Sequence, residues 1–416
     1  MSIPRAAGAD TGLSPMRCSE QLESVLAVLL PLLDIIEAPV TTPEVPAWCR
    51  TRAWDSFLLG VTDEQLVLFE SHGVGADWGL DAAPFSLVHL ARHVRELTTL
   101  PTWSIEPRVL PDATVRGVRA RKREQLSLLL GAVDRIACGS GRVVDVGAGS
   151  GHLTRMIAGV QGRSSVGIER DPARVAAARA RLDPSVPGAA YQLADVDSTL
   201  RLEEGDLVVG LHACGSLSDQ IVLAAARAQC SAFVVSCCYQ KIKGEQRSPL
   251  SRAAVGFSLS RSALGLANLS SRPDGVESSL QENLAARERR YALRRLLQAR
   301  GQELAAGAEM RGINRRQARG SYADLVARAL ALRGMAASTE PELLLHEQAS
   351  RHEFARMRRL SLPRNLLSRL VEVALVLDRG AALEESGASV RVGCLFPPAV
   401  SPRNLGLWAN FLRAEH

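Results

Sequence analysis

The sequence of 416 residues has no apolar run long enough to cross a bilayer. The longest run near its start, residues 25–36, is interrupted by Pro31 and Asp34, whereas a membrane-spanning helix needs about 20 apolar residues. The basic start and small-residue cleavage site of a secretory signal are also missing. We therefore expect a cytoplasmic protein with no membrane association, whose residues 1–17 form a disordered tail.

Cysteine is too sparse for a disulfide framework. The eight cysteines are scattered over the chain, apart from Cys214 and the adjacent pair Cys237 and Cys238, and no C-x-x-C spacing occurs. Hydrophobic residues make up 46% of the chain and charged residues 23%, which is typical of a soluble globular protein. A chain of this length can bury a sizeable core and is expected to divide into two or three units.

A glycine-rich turn at residues 147–151 is the most informative stretch. It follows an apolar β-branched run that ends in Asp145 and Val146, and an amphipathic segment begins at His152. A P-loop is excluded because no Gly-Lys-Ser/Thr follows, and His152 stands where a dinucleotide-binding turn needs a small residue. The pattern D-x-G-x-G-x-G resembles the first motif of the Rossmann-like S-adenosylmethionine (SAM) methyltransferases. That resemblance implies that Gly147, Gly149 and Gly151 wrap the methionine part of SAM and that Asp145 orients its amino group.

Two further acids follow probable strands. Glu169 ends the next apolar run, 18 residues beyond Gly151, where nucleotide-binding α/β folds place the acid that holds ribose hydroxyls. Asp195 follows a probable third strand, and the resemblance makes it the acid beside the adenine amino group. Either acid alone could be a solvated strand end, but three acids at successive strand ends favour a SAM site.

The order of elements predicts an α/β fold: a Rossmann-like methyltransferase sheet, mostly parallel and closed by an antiparallel hairpin, with an N-terminal helical domain and a helical insertion. The helical domain ends near a linker at residues 101–111. The predicted domains are listed here in order: 1–112, N-terminal helical domain; 113–262, SAM-binding core; 263–385, arginine-rich helical insertion; 386–416, closing strands of the core sheet.

Reactive side chains follow the predicted fourth and fifth strands, where ligands bind in doubly wound folds. His212 and Cys214 follow the fourth, and if the chain stays extended they point to the same side. Cys237, Cys238, Tyr239 and Lys241 follow the fifth. His212 or Tyr239 could act as a base or orienting group, with Lys241 on an anionic substrate.

Three alternatives remain for this cluster. A cysteine could attack a pyrimidine ring, although the proline–cysteine motif of such enzymes is absent. The cysteines and His212 could bind zinc, but adjacent cysteines chelate one ion awkwardly, so we predict no metal. The cysteines could also be small buried hydrophobes that pack the pocket.

With these residues in view, the chain resembles the methyltransferase-like family once labelled ribosomal RNA adenine dimethylase domain-containing proteins. The resemblance rests on residues 210–215, on Cys237-Cys238-Tyr239, on residues 249–251 and on residues 401–405. The chain departs from the family pattern at Asn268, and the Asn-Pro-Pro-Tyr/Phe motif of adenine dimethylases is missing. A more distant likeness is to tRNA ribose methyltransferases of the acceptor stem, and it favours RNA as substrate by analogy only.

We therefore expect a SAM-dependent methyltransferase with His212, Cys214 and Tyr239 at the acceptor, and RNA is the leading candidate for that acceptor. Basic segments at 116–123, 287–290 and 314–316 could contact phosphates, although each could equally be a solvated helix face. No required protein partner is evident. The alternatives are a protein or small-molecule methyltransferase and a binding module that has the fold without catalysis.

Overall fold

The computed structural model describes residues 16–72, 82–111, 118, 120–137, 141–182, 188–196, 200–269, 280–305, 307–314, 317–397, 400–401 and 403–411. Its helices are α1 Cys18–Leu29, α2 Leu33–Glu37, α3 Ala47–Thr51, α4 Asp55–Gly60, α5 Asp63–His72, α6 Phe85–Thr98, α7 Ala120–Ile136, α8 His152–Gln161, α9 Pro172–Arg179, α10 Ser216–Ala228, α11 Arg261–Leu264, α12 Leu280–Ala299, α13 Tyr322–Ala331, α14 Glu340–Leu360, α15 Leu362–Leu366 and α16 Ser368–Glu385. Its strands are β1 Arg142–Val146, β2 Ser165–Glu169, β3 Ala189–Leu193, β4 Asp206–Cys214, β5 Ser231–Cys237, β6 Gln246–Arg247, β7 Leu259–Ser260, β8 Ser389–Cys394 and β9 Leu405–Asn410.

A seven-stranded sheet in the order β3-β2-β1-β4-β5-β9-β8 organises the first unit. Strands β1 to β5 are parallel, and β8 and β9 form an antiparallel hairpin whose β9 pairs with β5. Strand β5 is buried along almost its whole length, as expected for a parallel strand covered on both faces. The predicted α/β fold, with its closing hairpin, is confirmed.

The strand order reverses direction between β1 and β4, which are neighbours although β2 and β3 lie between them in the chain. In doubly wound sheets, ligands bind outside the carboxyl ends of the strands at such a switch point. The turn after β1 and the segment after β4 therefore lie at the expected ligand-binding edge.

The chain divides into compact units at different boundaries from those predicted. The first unit comprises residues 1–37, 93–273 and 367–416, so far as they are described, and the second comprises 38–92 and 274–366. Helices α1 and α16 both belong to the sheet-containing unit, where the Sγ of Cys18 would lie 2.7 Å from a Cβ added at Gly380. The N-terminal helices are thus shared between two units, and α16 is part of the core rather than of the insertion.

The predicted linker at 101–111 contributes to the sheet-containing unit. Trp103 N–H donates to the carbonyl of Cys394 at 3.0 Å, and Cys394 N–H donates to the carbonyl of Pro101 at 2.8 Å. The Trp103 ring occupies the space beside Gly393 and Gly406, which are paired across β8 and β9. The segment is therefore anchored to the hairpin because two facing glycines make room for an indole.

The second unit is helical, and its core is formed by apolar side chains of α12 and α13, among them Leu293, Leu297, Leu325 and Val326. Buried or half-buried ion pairs reinforce it, including Arg294 with Glu309 at 3.1 Å. Among the described helices, none has both the length and the apolar character needed to span a lipid bilayer.

Candidate functional site

The glycine turn leaves β1 in a conformation that side chains rarely adopt. Gly147, Gly149 and Gly151 have φ angles of 78°, 57° and 74°, which glycine tolerates because it has no Cβ. The N–H groups of Gly147 and Ala148 donate to the carbonyl of Ile168 at 2.8 and 3.0 Å, and this anchors the turn to β2. A Cβ at Gly149 would meet only the Gly147 carbonyl oxygen, at 4.0 Å, so this glycine borders space that a ligand can use.

Gly151 also makes room for an aromatic side chain, a contact that the sequence does not predict. The hydroxyl of Tyr191 donates to the carbonyl of Gly151 at 2.8 Å, and a Cβ at Gly151 would lie 2.3 Å from that hydroxyl oxygen. Gly167 is also in close contact with the Tyr191 ring. Tyr191 therefore supports the turn from behind, and two glycines make its approach possible.

Glu169 lies against the turn rather than in solvent, since it is 8% exposed. Its Oε2 accepts from Gly149 N–H at 2.9 Å, and its Oε1 accepts from the N–H groups of Arg170 and Asp171 at 3.0 and 3.1 Å. A carboxylate has about four acceptor positions, so these bonds leave capacity for a ligand hydroxyl. Glu169 therefore lies at the glycine turn, and its role as the acid that holds ribose hydroxyls stays a prediction.

Asp145 is buried beneath the turn, at the end of β1. The hydroxyl of Thr154 donates to its Oδ2 at 2.7 Å. Burial raises the pKa of Asp145 to about 6, although Thr154 and the nearby charge of Lys122 act in the opposite direction. The side chain therefore changes protonation close to neutrality, and a cationic ligand group beside it would favour the carboxylate.

Asp195 is exposed, two residues beyond the end of β3. The preceding residue, Ala194, donates its N–H to the carbonyl of Glu169 at 3.1 Å. The backbone thus brings Asp195 to the same edge as Glu169, at the outer side of the candidate site.

The end of β4, which carries His212 and Cys214, is bulged and not fully extended as expected. The pairing of β4 with β5 shifts register between Leu211 and Ala213, and His212 has a φ of 57°. His212 Nε2 lies 3.2 Å from Gln125 Oε1. Gln125 Nε2 donates to the carbonyl of Val400 at 3.2 Å, so its amide oxygen faces His212 and accepts from Nε2. In neutral His212 the basic nitrogen is then Nδ1, which is itself buried.

Three thiols converge beside His212. The Sγ atoms of Cys214 and Cys237 are 3.2 Å apart, and the sulfurs of Cys214, Cys237 and Cys238 all lie within 4.8 Å of one another. Two cations face them: Arg403 Nη1 donates to Cys238 Sγ at 3.2 Å, and Lys241 Nζ lies 3.9 Å from Cys214 Sγ.

These contacts shift the pKa values of Cys214 and Cys237 in opposite directions. The hydrogen bond from Cys237 is the main cause that lowers the pKa of Cys214 to about 6, with a further contribution from Lys241. The same bond, together with burial, raises the pKa of Cys237. Cys214 is thus the more acidic thiol of the pair.

Tyr239 is buried rather than open to an acceptor, with 2% of its surface exposed. Its hydroxyl donates to Glu372 Oε1 at 3.3 Å, and the Arg379 guanidinium lies 5.5 Å from the ring centroid. Burial and the Glu372 charge raise its pKa well above the usual value. These contacts join the end of β5 to α16.

The chain has only three lysines, Lys122, Lys241 and Lys243, and all three lie near this edge of the sheet. Burial lowers the pKa of Lys122, and its neighbours Asp145 and Cys237 act against this effect. Lys122 therefore lies near both strand ends instead of on a solvated helix face. Lys122 and Gln125 are three residues apart on α7 and so share one face, a spacing that could have indicated both.

The arginine-rich insertion uses many of its cations internally. Arg290 and Arg294 each form an ion pair with Glu309 at 3.1 Å, and Arg295 and Arg300 pair with Glu353 and Glu342. Of these four, only Arg290 belongs to a segment for which phosphate contacts were predicted, and Glu309, which is 1% exposed, already balances its charge. Phosphate contact by the rest of that segment stays a prediction. Arg116, Arg119, the side chain of Arg121, Arg315 and Arg316 lie outside the described residues.

Residues 121–245, less than a third of the chain, match a family model described as a methyltransferase domain. Among solved structures, the chain is similar to a tRNA (uracil-54, C5)-methyltransferase of Pyrococcus abyssi, with 21% identity over 28% of this chain and 29% of that one and a TM-score of 0.24. A magnesium protoporphyrin IX methyltransferase of Synechocystis PCC 6803 shows 17% identity over 30% of this chain and 60% of that one, with a TM-score of 0.25.

A SAM-dependent methyltransferase of Clostridium acetobutylicum shows 12% identity over 30% of this chain and 53% of that one, with a TM-score of 0.23. In all three cases the matched part spans less than two thirds of the similar structure. The family match, the strand order and the open glycine turn agree on one conclusion. Residues 121–245 form a methyltransferase domain, and its cofactor is S-adenosylmethionine.

Proposed function

We propose that the protein transfers the methyl group of SAM to RNA and that it is a member of the methyltransferase-like family named above. The observation that carries the proposal is the glycine turn with Glu169 on one side and the thiol–histidine cluster at the same edge of the sheet. A methyl donor and an acceptor group bound at these two places would be neighbours. Positioning of this kind is the main contribution that a protein makes to a direct displacement.

SAM fits the residues present. Gly149 leaves open space where a Cβ would project, and Glu169 retains acceptor capacity for ribose hydroxyls. We assign Asp145, near the end of β1, to the ammonium group of SAM. Asp195 would lie beside the adenine. The cofactor supplies an electrophilic methyl group on a sulfonium, and the protein holds it in a defined orientation.

Exposed cations at the carboxyl edge support RNA as the acceptor. Arg170 follows β2, whereas Lys241 and Lys243 follow β5, and all three side chains are exposed. Cations at this edge would neutralise phosphates close to the reacting group, since phosphate contacts dominate affinity for nucleic acids. We therefore assign phosphate contacts to these three residues in preference to the insertion.

Within the cluster, we assign direct contact with the acceptor to Cys214, which is only half-buried. We assign His212 and Tyr239 as positioning residues, because Gln125 binds the Nε2 of His212 and Glu372 accepts from the Tyr239 hydroxyl. Gln125 holds the bulged backbone of β4 through His212, and Glu372 holds the start of the loop after β5 through Tyr239.

The seven described cysteines are free thiols, which supports a reducing compartment such as the cytoplasm.

A transfer experiment with tritium-labelled SAM tests this proposal. The protein is incubated with total RNA and, separately, with protein extract and with small metabolites. We expect label in RNA, loss of that label with Glu169→Ala, and no loss with Glu203→Ala, a control at the opposite end of the sheet. Label found only in protein or in small molecules would contradict RNA as the acceptor. SAM binding without transfer to any acceptor would favour a binding module.

A further inference from the structure

We propose that Cys214, Cys237 and Cys238 bind one thiophilic metal ion with a filled d shell, zinc(II) or copper(I), at the carboxyl ends of β4 and β5. The three sulfurs lie within 4.8 Å of one another, and the shortest separation is 3.2 Å. Thiolates at the usual metal–sulfur distance of about 2.3 Å are separated by about 3.8–4.0 Å. The shortest observed separation is below this value and none exceeds 4.8 Å, so small side-chain rotations would complete the site.

The backbone resolves the difficulty that adjacent cysteines pose for chelation. In an extended strand, Cys237 and Cys238 would point to opposite faces. Cys238 instead has a φ of 46°, a conformation that non-glycine residues rarely adopt. This bend brings its thiol to the same side as Cys237, where the thiol of Cys214 also lies.

A second bend holds the opposite wall of the cluster. Gly215, with a φ of 51°, lies so close to the loop after β5 that a Cβ there would be 2.0 Å from the Lys241 carbonyl oxygen. Ser216 N–H donates to that same carbonyl at 3.1 Å, and Gly215 N–H donates to the carbonyl of Cys237 at 3.2 Å. The two cysteine-bearing segments are therefore fixed to each other by backbone contacts that do not involve the thiols.

The surrounding charges suit bound thiolates. Three thiolates carry three negative charges, and Arg403 and Lys241 compensate two of them. The guanidinium of Arg403 would remain as an N–H donor to a metal-bound sulfur, the kind of outer contact that commonly orients metal ligands. One negative charge remains. With copper(I) the net charge of the cluster is zero, and with zinc(II) it is +1, so neither ion leaves a large uncompensated charge.

The ligand set narrows the choice of ion. Among the described residues, the grouped atoms are sulfurs only, and soft thiolates select copper(I) and zinc over magnesium, calcium or manganese. Three sulfurs satisfy trigonal copper(I), whereas tetrahedral zinc would retain one position for water or an acceptor atom. The site does not depend on methyl transfer, so it can be tested without SAM.

The test is equilibrium dialysis of the full chain, without oxygen and with a non-thiol reductant, against zinc(II) in one arm and copper(I) in the other. Bound metal is measured by elemental analysis. We expect one equivalent of metal in at least one arm for the wild-type protein and for the control Cys230→Ser, whose buried thiol precedes β5 at the other end of the sheet. Cys214→Ser and Cys238→Ser should lose this stoichiometric binding.

Arg403→Gln should weaken metal affinity by roughly 10- to 100-fold, as loss of an outer contact does. Circular dichroism spectra of the variants establish that they are folded. Binding well below one equivalent in both arms would overturn the proposal, and so would equal affinity in the wild-type protein and Cys238→Ser. Neither result would affect the proposed SAM site, which is measured separately by calorimetry.

Discussion

At the residue scale, Asp145 couples the candidate site to pH. Its pKa in the folded chain is about 6 because the carboxyl group is buried, whereas an unfolded aspartate titrates near 3.9. An acid whose pKa is raised by folding stabilises the fold below its unfolded pKa, and this contribution is lost as pH rises through the folded value. The loss therefore falls between about pH 4 and pH 6.

We predict opposite pH trends for stability and cofactor binding. Relative to Asp145→Asn, the free energy of unfolding of the wild-type protein should fall by a few kcal/mol from pH 4 to pH 7, since each pKa unit corresponds to about 1.4 kcal/mol. Affinity for SAM should rise with pH up to about 6, by at most tenfold per unit, because the carboxylate pairs with an ammonium group. Urea titrations and calorimetry measure these trends. Equal pH profiles in wild type and variant would contradict them.

Gly149 and Gly151 allow a matched comparison within one turn. Both have positive φ, so alanine at either position costs about 1 kcal/mol in backbone strain. Only at Gly151 does the added Cβ also clash with Tyr191. We predict that Gly149→Ala weakens SAM binding with little further loss of stability, whereas Gly151→Ala clearly lowers the melting temperature as well. Similar melting temperatures for the two variants would count against this division of roles.

At the scale of elements, a buried charge network of Asp378, Arg379, Arg247 and Asp219 fastens α16 to β6 and α10. Asp378 is fully buried, pairs with Arg247 at 2.8 Å and accepts from the N–H groups of Leu250 and Ser251. Despite burial, which acts in the opposite direction, Arg379 and Arg247 lower the pKa of Asp219. The network therefore holds ionised groups in the interior, and removal of one partner leaves an uncompensated charge.

We predict that Asp378→Asn lowers the free energy of unfolding by roughly 3 kcal/mol or more, as expected for a broken buried ion pair. Glu385→Gln is the control on the same helix, because its partner Arg252 has 85% of its side chain exposed. A pair of that kind contributes less than about 1 kcal/mol. Urea titrations of both variants give the comparison. Equal losses would show that burial is not what strengthens the Asp378 contacts.

The main elements could be predicted from the sequence because their signals are local. Apolar runs marked β1, β4 and β5, and the D-x-G-x-G-x-G spacing marked the turn after β1. The contacts around the site could not be predicted, since they join distant residues. Tyr191 behind Gly151, Gln125 beside His212 and Arg403 beside Cys238 depend on tertiary packing. The bend at Cys238 has no local sequence signal, because it is not a glycine.

At the scale of the whole molecule, charge alone was a poor guide to function. The net charge is +6, and the arginines of the insertion suggested phosphate contacts. Several of these arginines instead pair with buried or half-buried glutamates. An arginine whose charge is already balanced contributes little to the field that attracts RNA.

We predict that Lys243→Ala lowers the slope of log affinity for RNA against log salt concentration by about 1, as expected for one lost phosphate contact. Arg290→Ala should leave that slope unchanged but destabilise the helical unit, because Glu309 loses a partner. Filter-binding titrations at several salt concentrations measure the slope. If Arg290→Ala lowered the slope and Lys243→Ala left it unchanged, the RNA contacts would belong to the insertion and not to the edge of the sheet.

The central claim is that the glycine turn and Glu169 hold SAM, and calorimetric titration with SAM tests it most directly. We predict binding at one site in the wild-type protein and in the control Glu203→Ala. In Glu169→Ala, affinity should fall roughly 10- to 100-fold, because hydrogen bonds to a charged group contribute about 1.5–3 kcal/mol. No measurable binding to the wild-type protein, or equal affinity in Glu169→Ala, would contradict the account.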